Sequence, residues 1–212
     1  MNKTCYIVGA GPLDPREIKI NGDAYIIAAD GGYSFLKELG IIPDMLLGDF
    51  DSLGEPPEHP NTIRVDPVDK DDTDMMLAVK TGLGMGFGHF VIYGGLGGRL
   101  DHTLANIQTL AYISKHKARG YLIGGGMTVT ALTDGEIRFD ENCRGYISVF
   151  CHGGEAEGVY ERGLKYSLEN ARLTPDMPLG VSNEFTGKPS SVSVARGTVI
   201  ITWQNESLNE IG

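Results

Sequence analysis

The chain has 212 residues, is 41% hydrophobic and 22% charged, and carries a formal net charge of −10, enough for one large domain or two modest ones around a real core. It has no clustered run of Lys and Arg, which sets nucleic-acid binding aside, and no apolar run near the ~20 residues that span a membrane. Three cysteines, Cys5, Cys143 and Cys151, with no CxxC spacing, argue for a reducing compartment and against a disulfide framework or a zinc site. A strand starts almost at once, with no signal peptide before it, so the expected location is cytoplasmic. The acidic field favours a cationic small substrate; an anionic one needs a metal or a local Arg to enter.

Cys5 to Val8 reads as a strand ending in Gly9-Ala10-Gly11-Pro12. The GxGxxG pattern fails because Pro12 and Asp14 follow, so a tight strand-to-helix turn is the better reading. Asp14-Pro15-Arg16-Glu17 suits a short helix start, with Asp as N-cap and Pro in the first position. Asp23 to Ala29 is nearly all apolar, as in a strand covered on both faces of a parallel sheet. It ends in Asp30-Gly31-Gly32, before a short helix over Tyr33 to Leu39 that Gly40 and Pro43 terminate. An acid and two glycines at a strand's C-terminal end is where open α/β sheets bind ligands. The glycines admit a ligand to the backbone and leave helix N–H groups for an anion.

Met45-Leu46-Leu47 reads as a third buried strand, running into Gly48-Asp49-Phe50-Asp51-Ser52. In extended chain Asp49 and Asp51 point the same way and Phe50 points to the core. Two carboxylates side by side need a neutralising partner, and no Lys or Arg lies within ten residues of the pair. A hard divalent cation such as Mg²⁺, which also takes phosphate oxygens, fits that need. Pro-rich Gly54 to Asn61 is a loop, and Thr62 to Val65 a short strand. Asp69-Lys70-Asp71-Asp72-Thr73-Asp74 precedes a helix over Met75 to Thr81; Thr73 or Asp74 can cap it, and the other carboxylates exceed what capping needs.

Gly82 to Gly88 reads as a flexible link and His89 to Tyr93 as a buried strand. Gly94-Gly95-Leu96-Gly97-Gly98-Arg99-Leu100-Asp101-His102 follows; it lacks the GK[ST] ending of a P-loop, but Arg99 suits a bidentate grip on phosphate. His102 is as well explained by packing at a helix start as by function. A helix continues, with Leu100, Leu104, Ile107, Leu110 or Ala111, and Ile113 at helical spacing. Arg119 to Ile123 is the last strand of this kind. From Met127 onward short alternating runs recur (Met127–Leu132, Glu136–Phe139, Tyr146–Phe150, Ala156–Tyr160, Gly180–Phe185, Ser191–Ala195, Thr198–Trp203). Turn residues such as Asp134-Gly135 and Arg196-Gly197 separate them, the signature of a sandwich or barrel.

The expected fold class is therefore α/β: a Rossmann-like, mostly parallel catalytic domain over residues 1–128, then an all-β sandwich over 129–212. In a parallel sheet the C-terminal strand ends share one edge. Asp30, Asp49 with Asp51, the Asp69–Asp74 cluster, and Arg99 with Asp101 are expected to converge there on a Mg²⁺–phosphate site.

Ala29-Asp30-Gly31-Gly32, Gly48-Asp49-Phe50-Asp51-Ser52, Asp71-Asp72-Thr73-Asp74 and Gly94-Gly95-Leu96-Gly97-Gly98-Arg99-Leu100-Asp101, together with Gly163-Leu164-Lys165-Tyr166-Ser167-Leu168 and Val181-Ser182-Asn183-Glu184, resemble the thiamin pyrophosphokinase family in order and spacing. Each block is weak alone; six in order are specific. The resemblance implies transfer of a pyrophosphoryl group from ATP to the hydroxyethyl oxygen of thiamin, giving thiamin diphosphate and AMP, with Mg²⁺ as cofactor. It implies a homodimer whose active sites lie between the catalytic domain of one subunit and the β domain of the other. Carried onto this chain, Asp49, Asp51, Asp74 and Asp101 are the implied metal-holding and catalytic carboxylates, with Arg99 gripping phosphate. Asp30, Gly31, Gly32, Asp71, Gly95, Gly97 and Gly98 fall on the ATP side. Tyr166, Ser182 and Asn183 fall on the thiamin side. Asp49 and Asp74 are both candidates to take or orient the hydroxyl proton. Trp203 is a candidate for stacking on the thiamin rings or for the core. Two rivals remain open: a nucleotidyltransferase using its DxD and releasing pyrophosphate, and a non-catalytic sensor of thiamin or nucleotide.

Overall fold

The computed structural model describes residues 3–50, 59–64 and 72–204. β1 (Thr4–Val8) pairs with β2 (Ala24–Ala29), which continues to β3 (Met45–Gly48) and β4 (Thr62–Arg64). On its other side β1 pairs with β5 (His89–Tyr93) and then β6 (Arg119–Gly124), and every one of these pairings is parallel. The apolar runs have no polar face because both faces are covered. Tyr6, Val8, Ile26, Ala28 and Leu46 pack on the side of α1 (Gly32–Glu38), through Leu36. Cys5, Ile7, Ile27, Leu47 and Phe90 pack on the other side, under α2 (Asp74–Gly84) and α3 (Leu100–Lys115), through Met75, Val79, Leu110 and Ile113. Each Val, Leu, Ile, Phe or Met among them that is fully removed from water contributes roughly 1.5–3 kcal/mol.

Local chemistry sets the helix starts. Asp14 caps a single 3₁₀ turn, Pro15–Glu17, by accepting from the Arg16 N–H. Thr73 caps α2, its Oγ1 accepting from the Met76 N–H at 3.2 Å. The glycine-rich segment expected to be a flexible link from Gly82 is partly helix, since α2 runs to Gly84. Gly82 is buried there for want of space: a Cβ would stand 2.6 Å from Phe90 Cε1 and 3.3 Å from Cys5 Sγ. Composition suggested a linker, whereas packing against the sheet required a small residue in a helix.

β7 (Met127–Phe139) runs antiparallel to β6, so one large sheet passes from the parallel part into the β-rich part. β12 (Ser190–Gln204) pairs with β7 along its length. The two dipeptides expected to separate strands are instead irregularities inside these long strands. Pairing shifts between Val194 and Thr198, with Asp134 at φ 48° and Gly197 at φ 109°. A bulge bends a ladder without ending it and uses the same residue types as a turn. On the far edge of β12, β9 (Ala156–Arg162) pairs with its first half and β8 (Tyr146–Cys151) with its second. β9 continues to β10 (Leu168–Leu173) and β8 to β11 (Gly180–Glu184). Ile147, Val149, Val159, Leu173 and Phe185 belong to one core between them. β10 was not expected, because its sequence LENARL is half polar without apolar alternation and it lies at the sheet edge. Among the described residues no helix follows Met127, as the alternating runs implied. Trp203 is half-buried edge-on to Phe139, with ring centroids 5.3 Å apart, which places it in an aromatic cluster of the core.

Candidate active site

A cavity of about 730 Å³ opens at the C-terminal ends of β1, β2 and β5. β1 sits between β2 and β5, so the chain leaves it in one direction and returns on its other side. Open α/β sheets bind ligands at such a reversal. Gly9, Gly11 and Pro12 form one wall, Gly94, Gly95, Gly97, Gly98 and Arg99 another. The two loops are joined by backbone hydrogen bonds, Gly9 N–H to Tyr93 O at 2.8 Å and Gly11 N–H to Gly94 O at 2.9 Å. Gly94 has φ 67°, and a Cβ on it would run into the Gly9 carbonyl. Asn106 pins the second loop from α3, its Nδ2 donating to Gly95 O at 2.9 Å, and lines the cavity.

Gly31 and Gly32 are not among the lining residues. Gly32 answers instead to packing, since a Cβ there would collide with the Val8 carbonyl. α3 begins at the cavity with Arg99 as N-cap and no side-chain cap, so its first-turn N–H groups can serve an anion.

Asp30, Asp72 and Asp74 all face this cavity. Asp30 is held at φ 49°, with its N–H on Leu47 O at 2.7 Å. Asp72 accepts from Lys80 Nζ at 2.6 and 2.8 Å. Arg99 pairs with Asp101, the closer contact being 2.6 Å, and both side chains are exposed. Arg99's hydrogen bonds hold the Asp101 carboxyl below its usual range. Asp101 and Asp49 are not among the residues that line this cavity, whereas Asp30 and Asp74 are. Asp51 and Asp71 lie outside the described residues. The alternation used to pair Asp49 with Asp51 does not carry past the strand. β3 ends at Gly48, and Phe50 is buried at φ 59°, a left-handed rather than extended residue.

Among the described residues, no group of three or more His, Cys, Asp or Glu forms a metal cage. Mg²⁺ rarely uses one; it takes one or two carboxylates plus substrate phosphate oxygens and water. Asp30 and Asp74 supply hard oxygen donors to a cavity that Arg99 and six glycines also line, and that donor set fits.

Tyr166, Ser182 and Asn183 gather elsewhere, around β11. Tyr166 and Ser182 are exposed, and Ser182, at φ 60°, donates its N–H to Ser148 Oγ at 3.0 Å. Asn183 is buried, and its amide bonds the Tyr166 backbone. None of the three lines the cavity. The reading from sequence missed Gly9, Gly11 and Asn106 as cavity residues. The first two were visible as a glycine pair at a strand end; Asn106 carried no signal beyond being polar on an apolar helix face.

Fold and cavity together define an α/β protein built to take a small molecule at the switch point of its sheet. Residues 18–122 match the family model for the thiamin pyrophosphokinase catalytic domain, and residues 135–199 the model for its vitamin B1 binding domain. Thiamine pyrophosphokinase of Bacillus subtilis is 33% identical over 209 residues, covering 94% of this chain and 97% of that protein. Thiamin pyrophosphokinase 1 of Caenorhabditis elegans is 28% identical over 181 residues, covering 78% of this chain and 73% of its own. A crystal structure of the Bacillus subtilis thiamine pyrophosphokinase superposes with a TM-score of 0.83 at 29% identity, covering 96% of this chain and 100% of that one. The chain belongs to the thiamin pyrophosphokinase family.

Proposed function

We propose that the protein transfers the terminal pyrophosphoryl group of ATP to the hydroxyethyl oxygen of thiamin. The observation that carries this reading is a glycine-walled cavity at the switch point, bearing Asp30, Asp74 and Arg99, on a chain that matches both parts of the family. In the reaction the thiamin oxygen bonds to the β-phosphorus, the bond from that phosphorus to the α,β-bridging oxygen breaks, and AMP leaves. The hydroxyl proton passes to a carboxylate, for which Asp74 and Asp49 are the candidates. Arg99 and the uncapped α3 N-terminus bind the triphosphate and oppose its charge. The glycine backbone lets the phosphates approach closely. Asp30, Asp74, Asp49, Asp51 and Asp101 are the proposed holders of Mg²⁺, which would supply positive charge against the phosphates, with Asp71 and Gly31, Gly32, Gly95, Gly97 and Gly98 on the ATP side.

Residues 129–212 form the proposed thiamin-binding β-sandwich and 1–128 the Rossmann-like catalytic part. Tyr166, Ser182 and Asn183 lie away from this chain's own cavity. That separation supports a homodimer in which one subunit's β part faces the other's cavity. No described helix is long and apolar enough to cross a membrane, and the protein is proposed to work in the cytoplasm. The test is incubation with ATP, Mg²⁺ and thiamin, followed by identification of the nucleotide product. AMP with thiamin diphosphate supports the reading; pyrophosphate, or no turnover with binding intact, overturns it.

A further inference from the structure

Asn183 has two acceptor sites and two donor N–H groups on its amide, and four contacts within the chain engage them. Oδ1 accepts from the Tyr166 N–H and from the Glu184 N–H, both at 2.9 Å. Nδ2 donates to Tyr166 O at 2.6 Å and to Glu161 Oε2 at 2.7 Å. The two backbone donors fix which end of the amide is oxygen. The remaining N–H then points into the core and must find an acceptor there. Glu161, on β9, supplies it.

Glu161 is an unusual residue for that place. It is 0% exposed, it faces the core of the β-rich part, and its second oxygen, Oε1, is buried with no hydrogen-bond partner. Gly180 leaves room for it, since a Cβ there would stand 3.0 Å from Oε1. A buried carboxyl with one orphan oxygen is costly, and an apolar side chain would fill the space without that cost. What the carboxyl adds is the acceptor for Asn183. Through Asn183 it fixes both backbone groups of Tyr166, a residue 60% exposed, and β11 beside Ser182.

Resting on the proposed thiamin-binding role of Tyr166 and Ser182, we propose that Glu161 is a positioning residue for thiamin. From β9 it locks the Asn183 amide in one orientation and so holds the Tyr166 ring and β11 in their binding arrangement, without touching substrate.

The test compares Glu161→Leu and Glu161→Gln with the parent protein in steady-state kinetics against thiamin and against ATP. The parent is assayed first; if it makes no thiamin diphosphate, the functional reading fails and the role of Glu161 falls with it. With activity present, Glu161→Leu is expected to raise the thiamin KM roughly tenfold or more, with kcat and the ATP KM within about twofold. Glu161→Gln keeps an acceptor for Asn183 and is expected to restore the thiamin KM. An unchanged thiamin KM in a folded Glu161→Leu variant overturns the proposal. So does an equal rise in both KM values, or failure of Gln to rescue. If Glu161→Leu does not fold, Glu161→Met replaces it, unbranched at Cγ and without an oxygen. Failure of both to fold also overturns the proposal, because Glu161 would then serve the fold and not the site.

Discussion

Arg99 and Asp101 hold each other at 2.6 Å at the mouth of the cavity, two residues apart across the first turn of α3. Arg99 lines the cavity while Asp101 does not, so the pair turns the guanidinium partly toward its own chain. Both groups are solvent-exposed, and exposed pairs are easily exchanged for better partners. In the proposed reaction ATP would offer Arg99 a bidentate phosphate and so release Asp101 for the metal. Arg99→Ala is expected to lower kcat/KM for ATP on the order of 10³-fold. Arg99→Lys keeps the charge but not the planar fork, so it should recover only part of that loss. Full activity in Arg99→Lys would show that a point charge suffices.

Asp30 and Asp74 are the proposed metal carboxylates that the structure brings to one cavity. Asp74→Asn is nearly isosteric and removes one charge. A kcat loss of about 10²–10⁴-fold is expected if it takes the hydroxyl proton. If it serves only as a metal ligand, raising the Mg²⁺ concentration should recover much of the rate. Asp49→Asn, measured beside it, separates the two candidate bases: the one whose loss survives saturating Mg²⁺ handles the proton.

Gly94 ties the two glycine loops together. With φ 67° and the Gly9 carbonyl in the space a Cβ would take, Gly94→Ala meets both backbone strain and a clash. Strain of this kind costs about 1–3 kcal/mol, and the clash adds to it. Thermal denaturation should show a lower Tm. The ATP KM should rise with it, because the same loop forms the cavity wall. A variant with normal Tm and normal ATP KM would mean the loops can part without consequence.

Of the parallel strands, β1, β2, β3 and β5 were legible because each is an apolar run that ends at or before Gly or Asp, and burial on both faces gives that pattern directly. The strand ends were legible as a row of glycines and acids. What sequence could not supply was distance. Asp101 is turned to Arg99 by a two-residue spacing that reads equally well as a cavity residue. Phe50 leaves the strand in a left-handed conformation, so period-2 reasoning stopped one residue before Asp49. In the β-rich part, Asp134-Gly135 and Arg196-Gly197 look like hairpin turns. Only the partner strand shows them to be facing bulges, with Gly197 N–H on Asp134 Oδ1 at 2.8 Å. β10 was missed because an edge strand needs little apolar alternation.

Gly82 makes a second packing claim testable. It lies in α2 against Phe90 and Cys5, not in a loop. In a loop, Gly82→Ala would be neutral or slightly stabilising; in an exposed helix it would gain up to about 1 kcal/mol. Here the methyl group must displace the Phe90 ring, and overpacking of this kind costs roughly 1–3 kcal/mol. Urea denaturation should give a lower midpoint with unchanged slope. A higher midpoint would place Gly82 outside the core.

Glu161 makes stability depend on pH in a definite direction. Burial pushes its carboxyl above the ordinary 4.5, opposed in part by the hydrogen bond from Asn183. The folded protein therefore binds this proton more tightly than the unfolded chain does. The resulting stabilisation is complete below about 4.5 and is lost as pH rises toward and through the folded value, where a charged carboxylate must sit in the core. Glu161→Gln cannot ionise. Its Tm relative to the parent is expected to climb steadily as pH is raised from 4.5 and to level off once Glu161 in the parent has ionised. A difference that stays flat across that range would mean the carboxyl titrates alike in both states, and that water reaches Oε1 in solution.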